Sequence, residues 1–168
     1  MNTLPTRVLL LVILAATLPL YAQSPGATAR AALEPALETA KSWHADAVLT
    51  NVSAVGVAPD GSADAWDYIF YSPSTNSYGR LTARMIVGGA FAIKKVSNGP
   101  TGAVAENFID SHLALATARW NGLNLRSAIM GLTSKGWAVY AGLRRGDAIV
   151  WIDAKTGAYL RTEAIPKN

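Results

Sequence analysis

The sequence contains no cysteine. In an oxidising compartment this absence removes disulfides as a source of stability, and it also excludes a lipid-modified cysteine anchor, thiolate catalysis and cysteine metal sites. The two histidines, His44 and His112, do not stand in a metal-ligand spacing, and no nucleophile elbow, phosphate loop or Gly-x-Gly-x-x-Gly motif is present. We therefore do not expect an enzyme, and we assign no catalytic, metal-binding or cofactor-binding residue.

Charge is sparse and scattered. The chain has 15 Lys and Arg residues against 11 Asp and Glu residues, a formal net charge of +4. Lys94-Lys95 and Arg144-Arg145 are the adjacent basic pairs, whereas a nucleic-acid surface normally needs a clustered basic stripe. Nucleic acid is therefore not an expected partner.

Long hydrophobic runs are also lacking. The apolar stretch Val8–Leu20 has 13 residues, short of the roughly 20 that span a bilayer. The stretch follows Arg7, and Leu20-Tyr21-Ala22 stands before Gln23, which is the pattern of a secretory signal peptide over residues 1–22. We expect a periplasmic or secreted protein of a bacterial envelope, without stable membrane insertion once the signal is cleaved. A signal retained as an anchor is the alternative. Residues 23–32 are small and polar and predict a flexible leader.

An internal repeat dominates the rest of the chain. Tyr71–Tyr78 and Ile152–Tyr159 are similar in sequence 81 positions apart, and both have the residues of a tight turn between strands. An apolar helical pattern that ends in tryptophan precedes each copy. The first pattern is Leu33, Leu37, Ala40 and Trp43, and the second is Ile109, Leu113, Ala116 and Trp120. The sequence therefore predicts an α+β fold of two helix-plus-antiparallel-sheet repeats, over residues 33–97 and 104–168, in one domain or two.

Alternation of bulky residues predicts the strands. In the first repeat they cover residues 47–57, 66–71, 78–87 and 90–96, and Gly88-Gly89 links the last two. In the second repeat they cover residues 137–143, 147–153 and 158–164, while residues 123–135 have no clear pattern. The middle strands are apolar on both faces, so one face should meet a helix and the other needs a cover.

Aromatic side chains could provide that second contact, since rings with a polar group suit interfaces. Core packing is the alternative for the same residues. Two arginines at a predicted hairpin tip could attract an acidic partner. The candidate contact residues for a ligand or partner are Trp66, Tyr68, Tyr71, Trp137, Tyr140, Arg144 and Arg145.

The second repeat resembles a PepSY domain. The resemblance rests on the helical run Phe108–Gly122, the two strands that follow, and the turn Ile152–Gly157 with its Asp-Ala-x-Thr-Gly pattern. The first repeat departs from it, because Ser72 replaces the aspartate and Asn76 the glycine. The resemblance implies a cystatin-like topology, in which a helix packs on an antiparallel sheet, and a secreted or envelope setting. It brings no catalytic residues.

Together these features favour an exported, non-enzymatic binding module that engages a protein or peptide through a sheet face or an edge strand. Family analogy adds a second hypothesis, an inhibitor or folding helper of an exported peptidase. A carrier of an apolar small ligand is the third.

Overall fold

The computed structural model describes residues 26–84, 92–100 and 102–166. These ranges form, in chain order, α1 (Leu33–Trp43), β1 (Val48–Val57), β2 (Ala65–Ser72), β3 (Ser77–Arg84), β4 (Ile93–Val96), α2 (Ser111–Trp120), β5 (Ala128–Thr133), β6 (Gly136–Tyr140), β7 (Ala148–Ile152) and β8 (Tyr159–Ala164). The expected signal peptide and the expected Gly88-Gly89 link lie outside the described residues.

All eight strands belong to one antiparallel sheet, in the order β4-β3-β2-β1-β5-β6-β7-β8. The α+β class predicted from the sequence is therefore confirmed, with more sheet than helix. Each helix precedes four strands, and β1 and β5 pair at the centre, so the two halves share one continuous sheet.

One face of the sheet carries the core. A row of directly paired residues runs across it, and every member is fully buried: Leu81, Tyr68, Val52, Leu132, Trp137 and Ile152. Both helices pack on this side, which we call the helix face. The opposite side, the open face, carries the alternate row Thr82, Asp67, Ser53, Gly131, Ala138, Trp151 and Arg161.

The α1 helix buries the side that the sequence predicts. Leu33, Leu37 and Ala40 face the core, with Ala36 between them. The helix begins two residues before Pro35, which fits because the first-turn amides of a helix have no intrahelical partner and a proline there loses nothing.

The α2 helix buries the side opposite to the predicted one. Its buried residues are Ser111, Ala114, Leu115 and Ala118, whereas Leu113, Ala116 and Trp120 of the predicted stripe face solvent. Both sides of this helix are apolar, so periodicity alone could not choose between them. The small side chains of Ala114 and Ala118 let the helix lie close to the sheet. Asp110 caps the helix, its carboxylate accepting from the Ser111 amide at 2.7 Å.

Two tryptophans join the layers. The indole Nε1 of Trp66 donates to the carbonyl of Ala27 at 2.7 Å, and that of Trp137 donates to the carbonyl of Ile109 at 2.9 Å. Both acceptors lie in the chain just before a helix. The two rings also meet edge to face at 6.1 Å between centroids, and Phe108 packs against Trp137 in the same way at 5.9 Å. The cluster therefore fixes where each helix starts relative to the sheet.

The segment without a clear pattern contains a central strand. Ala128, Met130 and Leu132 of β5 are buried alternately, and β5 pairs with β1. The Asn51 side chain strengthens this pairing by donating to the Leu132 carbonyl at 3.0 Å. Alanine, methionine and glycine have low strand preference, which is why the strand is weak in the sequence.

The described part of the predicted flexible leader is held in place. Ala27 forms a two-way backbone bridge with Ala63, and Ala29 is fully buried. The Tyr68 hydroxyl donates to the Ala29 carbonyl at 2.7 Å, and burial raises the pKa of this tyrosine. The small side chains of this segment allow it to pack against β2. The prediction of a flexible leader is therefore wrong for the described residues of this segment.

The two turns matched in the sequence repeat join different strands. Tyr71–Tyr78 covers the β2–β3 connection, and Ile152–Tyr159 covers the β7–β8 connection. By position in the sheet, the counterpart of the β2–β3 connection is the one between β6 and β7. The buried positions of the two helices correspond with a shift of 78 residues. Leu33 of α1 thus matches Ser111 of α2, and Ala40 matches Ala118. Similar turn sequences thus reflect local turn chemistry, not equivalent places in the sheet.

Ser111 should be a critical polar residue of the core. Its hydroxyl accepts from the Ala29 amide at 3.0 Å and donates to the Gly61 carbonyl at 2.7 Å, fully buried. Ser111→Ala would leave both backbone groups without a partner, so we expect a loss of about 1–3 kcal/mol in the free energy of unfolding. Urea denaturation measures this.

Ser42→Ala is the matched control, since Ser42 is an exposed helical serine whose hydroxyl bonds the Glu38 carbonyl within α1. It should change stability by no more than about 0.5 kcal/mol. Equal losses in the two variants would contradict the assigned importance of the Ser111 contacts.

Candidate binding surfaces

Three of the seven candidate contact residues belong to the core. Trp66, Tyr68 and Trp137 are on the helix face with exposures of 1%, 0% and 0%. Their polar atoms are used by backbone carbonyls within the chain. The expectation that these side chains contact a partner is therefore corrected: in the folded chain no partner can reach them, and core packing accounts for them.

The other four candidates reach the surface but are not brought together. Tyr71 and Tyr140 are half-buried on the open face, one on β2 and the other on β6. Tyr71 stacks on Tyr78 at 4.7 Å and bonds the Asn76 side chain. Arg144 and Arg145 are exposed in the β6–β7 connection, as predicted. The structure thus offers no single site made of the seven.

The outer face of α2 is an apolar surface that the sequence reasoning missed. Trp120 is 92% exposed and Leu113 is 50% exposed, with the exposed Ala116 between them on the same side of the helix. We call Leu113, Ala116 and Trp120 the α2 stripe. The sequence shows these residues as one apolar stripe and predicts that the stripe packs on the sheet, whereas the structure has it facing solvent.

The corresponding side of α1 is polar. With the shift of 78 positions, Glu38 takes the place of Ala116 and Ser42 the place of Trp120, and both are exposed. The two helices have comparable places on one sheet, yet only α2 presents large apolar side chains to solvent. Position in the fold therefore does not explain the exposure of Trp120.

Strand β8 is an exposed edge close to α2. All six of its residues are exposed, and Tyr159 and Leu160 begin it with exposures of 43% and 45%. The Thr117 hydroxyl of α2 donates to the Gly157 carbonyl at 3.1 Å, which ties the helix to the turn before β8. An edge strand points alternate backbone N–H and C=O groups away from its sheet and can pair with another strand.

The open face is covered at one end by the crossover between the two halves. Gly99 lies so close to Tyr78 and Ile69 that a β-carbon would be 2.7 Å and 3.0 Å from them. The chain then passes β1, where the Val104 amide donates to the Leu49 carbonyl at 2.7 Å, and reaches the core at Phe108. This crossover is part of the cover that the sequence predicted for the second apolar face.

Two adjoining grooves lie at the β3–β4 end of the open face, with volumes of about 430 and about 300 Å³. The larger crosses β3, β2, β1 and β5, and Val55, 72% exposed, lines it beside Asp67. The smaller lies over β3 and β4 and is lined by Arg80, Thr82, Arg84, Ala92 and Lys94. Among the described residues, no group of three or more acidic, histidine or cysteine side chains could hold a metal ion.

The turn motif behind the PepSY resemblance has a structural function here. The Asp153 carboxylate accepts from the Lys155 and Thr156 amides at 3.0 and 2.7 Å, which lowers its pKa, and Gly157 adopts a φ of 75°. These contacts form the turn and leave no evident ligand position.

The turn between β2 and β3 is also held by a carboxylate, but this one comes from Asp46, before β1. Asp46 accepts from the Ser74 amide at 2.6 Å and from the Ser72 hydroxyl at 2.7 Å, and these bonds, the amide first, lower its pKa to about 2. Asn76 takes the left-handed conformation with a φ of 47°. Asp46 thus supplies the charge that Asp153 supplies in the second turn.

Comparison with known proteins gives one informative match. The chain is similar to the crystal structure of a proposed lipoprotein from Clostridium difficile 630, with a TM-score of 0.53, 12% identity, and coverage of 78% of this chain and 91% of that one. At this identity the match shows a shared fold alone. No protein-family model matches, and no curated protein matches either. The resemblance to PepSY domains therefore stays a hypothesis.

Acid should remove the contribution of Asp46 to stability. Because the pKa in the fold lies below the ordinary value of 3.8, the contribution is complete above that value and is lost as the pH falls towards about 2. We expect Asp46→Asn to melt at a lower temperature than the parent at neutral pH, and the gap to close between about pH 4 and 2. Thermal unfolding followed by circular dichroism measures both.

Asp64→Asn is the control, since Asp64 is exposed on the loop before β2. Its melting temperature should follow that of the parent through the same pH range. A gap for Asp46→Asn that stays constant down to pH 2 would show that the carboxylate charge does not stabilise the turn.

Proposed function

We propose that this chain is an exported, non-enzymatic binding module that engages a protein partner through the α2 stripe. The observation that carries the proposal is the 92% exposure of Trp120 at the end of a helix whose other side already packs on the sheet. Contiguous apolar surface is uncommon on monomers and marks contact sites. Tryptophan is also among the residues that contribute most to protein interfaces.

The contrast between the helices supports this assignment. The stability of the fold needs only one apolar side on each helix. The α1 helix has such a side facing the core, and it exposes Glu38 and Ser42 on the other side. On α2 the outer leucine and tryptophan add nothing to the core described above. A partner that covers them would remove their apolar surface from water, at about 25 cal/mol per Å² of area buried.

The exposed edge of β8 is a second surface that the partner could contact. Tyr159 and Leu160 are exposed, and the strand follows the turn that Thr117 holds against α2. A segment of the partner could pair with β8 by strand addition while its apolar side chains meet the α2 stripe. This agrees with the edge-strand mode favoured by the sequence.

Export and tandem PepSY-like organisation are part of the proposal. The sequence supports a signal peptide over residues 1–22. The structural neighbour is described as a proposed lipoprotein, and lipoproteins belong to the cell envelope. Each half has a helix followed by four antiparallel strands, which supports two related units. In the described residues no helix is long and apolar enough to cross a bilayer.

The remaining hypotheses have less support. Inhibition or folding assistance of an exported peptidase rests on the PepSY resemblance, and it would make the peptidase the partner of the α2 stripe. A carrier would need space between the helices and the sheet, where Trp66, Phe108 and Trp137 are packed together. A protein partner is therefore the better-supported function.

Site-specific photo-crosslinking tests the proposal. A photoreactive residue placed at Trp120 in the full chain, in cells of the source organism, should give a discrete protein adduct. The same residue at Ser42, the matched position on α1, should not. With the purified partner, Trp120→Ser should weaken binding by about 30-fold, the effect of losing a central anchor of about 2 kcal/mol. Unfolding stability should change by less than about 0.5 kcal/mol, because the side chain is exposed.

Leu143→Ser serves as a second control, since Leu143 is 69% exposed in the β6–β7 connection and is not part of the α2 stripe. It should leave affinity unchanged. Equal crosslinking from positions 120 and 42, or equal loss of affinity in the Trp120 and Leu143 variants, would reject the α2 stripe as the contact surface.

A further inference from the structure

The smaller groove of the open face concentrates positive charge. Arg80, Thr82 and Arg84 project from β3 on this face, and Lys94 projects from β4 beside them. All four side chains are exposed. The groove has a volume of about 300 Å³ and lies on the opposite side of the sheet from α2, so it is separate from the surface proposed above.

Two of these cations oppose each other directly. Arg80 pairs with Lys94 across β3 and β4. Like charges directly opposite each other destabilise an antiparallel pair. Among the described residues neither cation lies within salt-bridge distance of an acidic group. The fold therefore carries a repulsion that an external anion would relieve.

One acid lies beside the groove. Asp67, on the neighbouring strand, pairs with Thr82 and accepts from its hydroxyl, and it is not within salt-bridge distance of Arg80 or Arg84. At the other end of the open face the chain balances its own charge, because Arg161 bonds Glu163 at 3.1 Å and lies over the Trp151 ring at 4.9 Å. With Arg80, Arg84 and Lys94 against Asp67, the β3–β4 end keeps an excess of positive charge.

The spacing of the cations is that of an extended chain. Side chains on one face of a strand recur every two residues, about 6.8 Å apart, so Arg80 and Arg84 stand about 13 Å apart with Thr82 midway. A peptide in the same conformation presents alternate side chains with the same repeat. We propose that the β3–β4 groove binds an extended acidic peptide segment, with one carboxylate at Arg80 and Lys94 and a second, four residues further along, at Arg84.

A peptide fits this arrangement better than a phosphate group does. A single phosphate would span one cation pair and leave the other arginine about 13 Å away unused. A membrane surface would contact cations that project from a flat or convex face, whereas these line a groove along the strand direction. The separation of the two cationic positions along β3 is thus the feature that favours the peptide.

Titration calorimetry of the mature chain tests the site with a blocked peptide in which glutamate alternates with threonine. Binding is expected, weakening as salt increases because surface charges are screened. A peptide with glutamine in place of each glutamate should not bind. Arg80→Gln, Arg84→Gln and Lys94→Gln should each weaken binding by about three- to fivefold, the range of an exposed ion pair. Arg80→Gln should not lower the melting temperature, since it removes the repulsion with Lys94.

Lys95→Gln is the matched control, because Lys95 is an exposed lysine of the same strand on the helix face, opposite Gly79. It should leave peptide affinity unchanged. The proposal is overturned if the glutamine peptide binds equally, if Lys95→Gln weakens binding as much as Lys94→Gln, or if no peptide binds. It is also overturned if inorganic phosphate or vesicles of phosphatidylglycerol compete for the same residues more strongly than the peptide does.

Discussion

The hydrogen bonds from two indole N–H groups to the chain ahead of each helix control the arrangement of the molecule. Trp66 holds the segment before α1, and Trp137 holds the segment before α2. The two rings meet at the middle of the helix face, beside the β1–β5 pair. A buried indole needs a partner for its N–H, and each finds one where a helix must begin. The cluster of Trp66 and Trp137 therefore connects the sheet to the segments that lead into both helices, and it lies where the two halves join.

This arrangement gives the two faces of the sheet different functions. The helix face of the central strands is used for packing, so contact with other molecules is left to the outside of α2, the sheet edges and the open face. On α2 the outer side is apolar, while the β3–β4 groove on the open face is lined by three exposed cations. The α2 stripe and the β3–β4 groove therefore differ in chemistry as well as in position, and a partner could occupy one without the other.

Much of the fold could be predicted from residue patterns, and the failures have physical causes. The alternation of bulky side chains along the sequence predicted β2 and β7, whose residues are mostly large and β-branched or aromatic. It did not predict β5, whose small residues and glycine are tolerated because strands on both sides cover it. For α2, both sides were apolar, and the choice depended on which side let the helix approach the sheet. Among the candidate contact residues, Trp66 and Trp137 have large rings with a polar N–H group, which suits an interface. In the fold these rings are buried, and their N–H groups donate to backbone carbonyls of the same chain.

The sequence by itself determined the α+β class, the absence of cysteine chemistry and the tight turns, because these depend on composition and on residues that are neighbours in the chain. Only the tertiary structure decided that the halves share one sheet, that Asp46 completes a turn whose residues lie far along the chain, and that Arg80 faces Lys94. Such contacts depend on register between strands, and register follows from how the whole core packs.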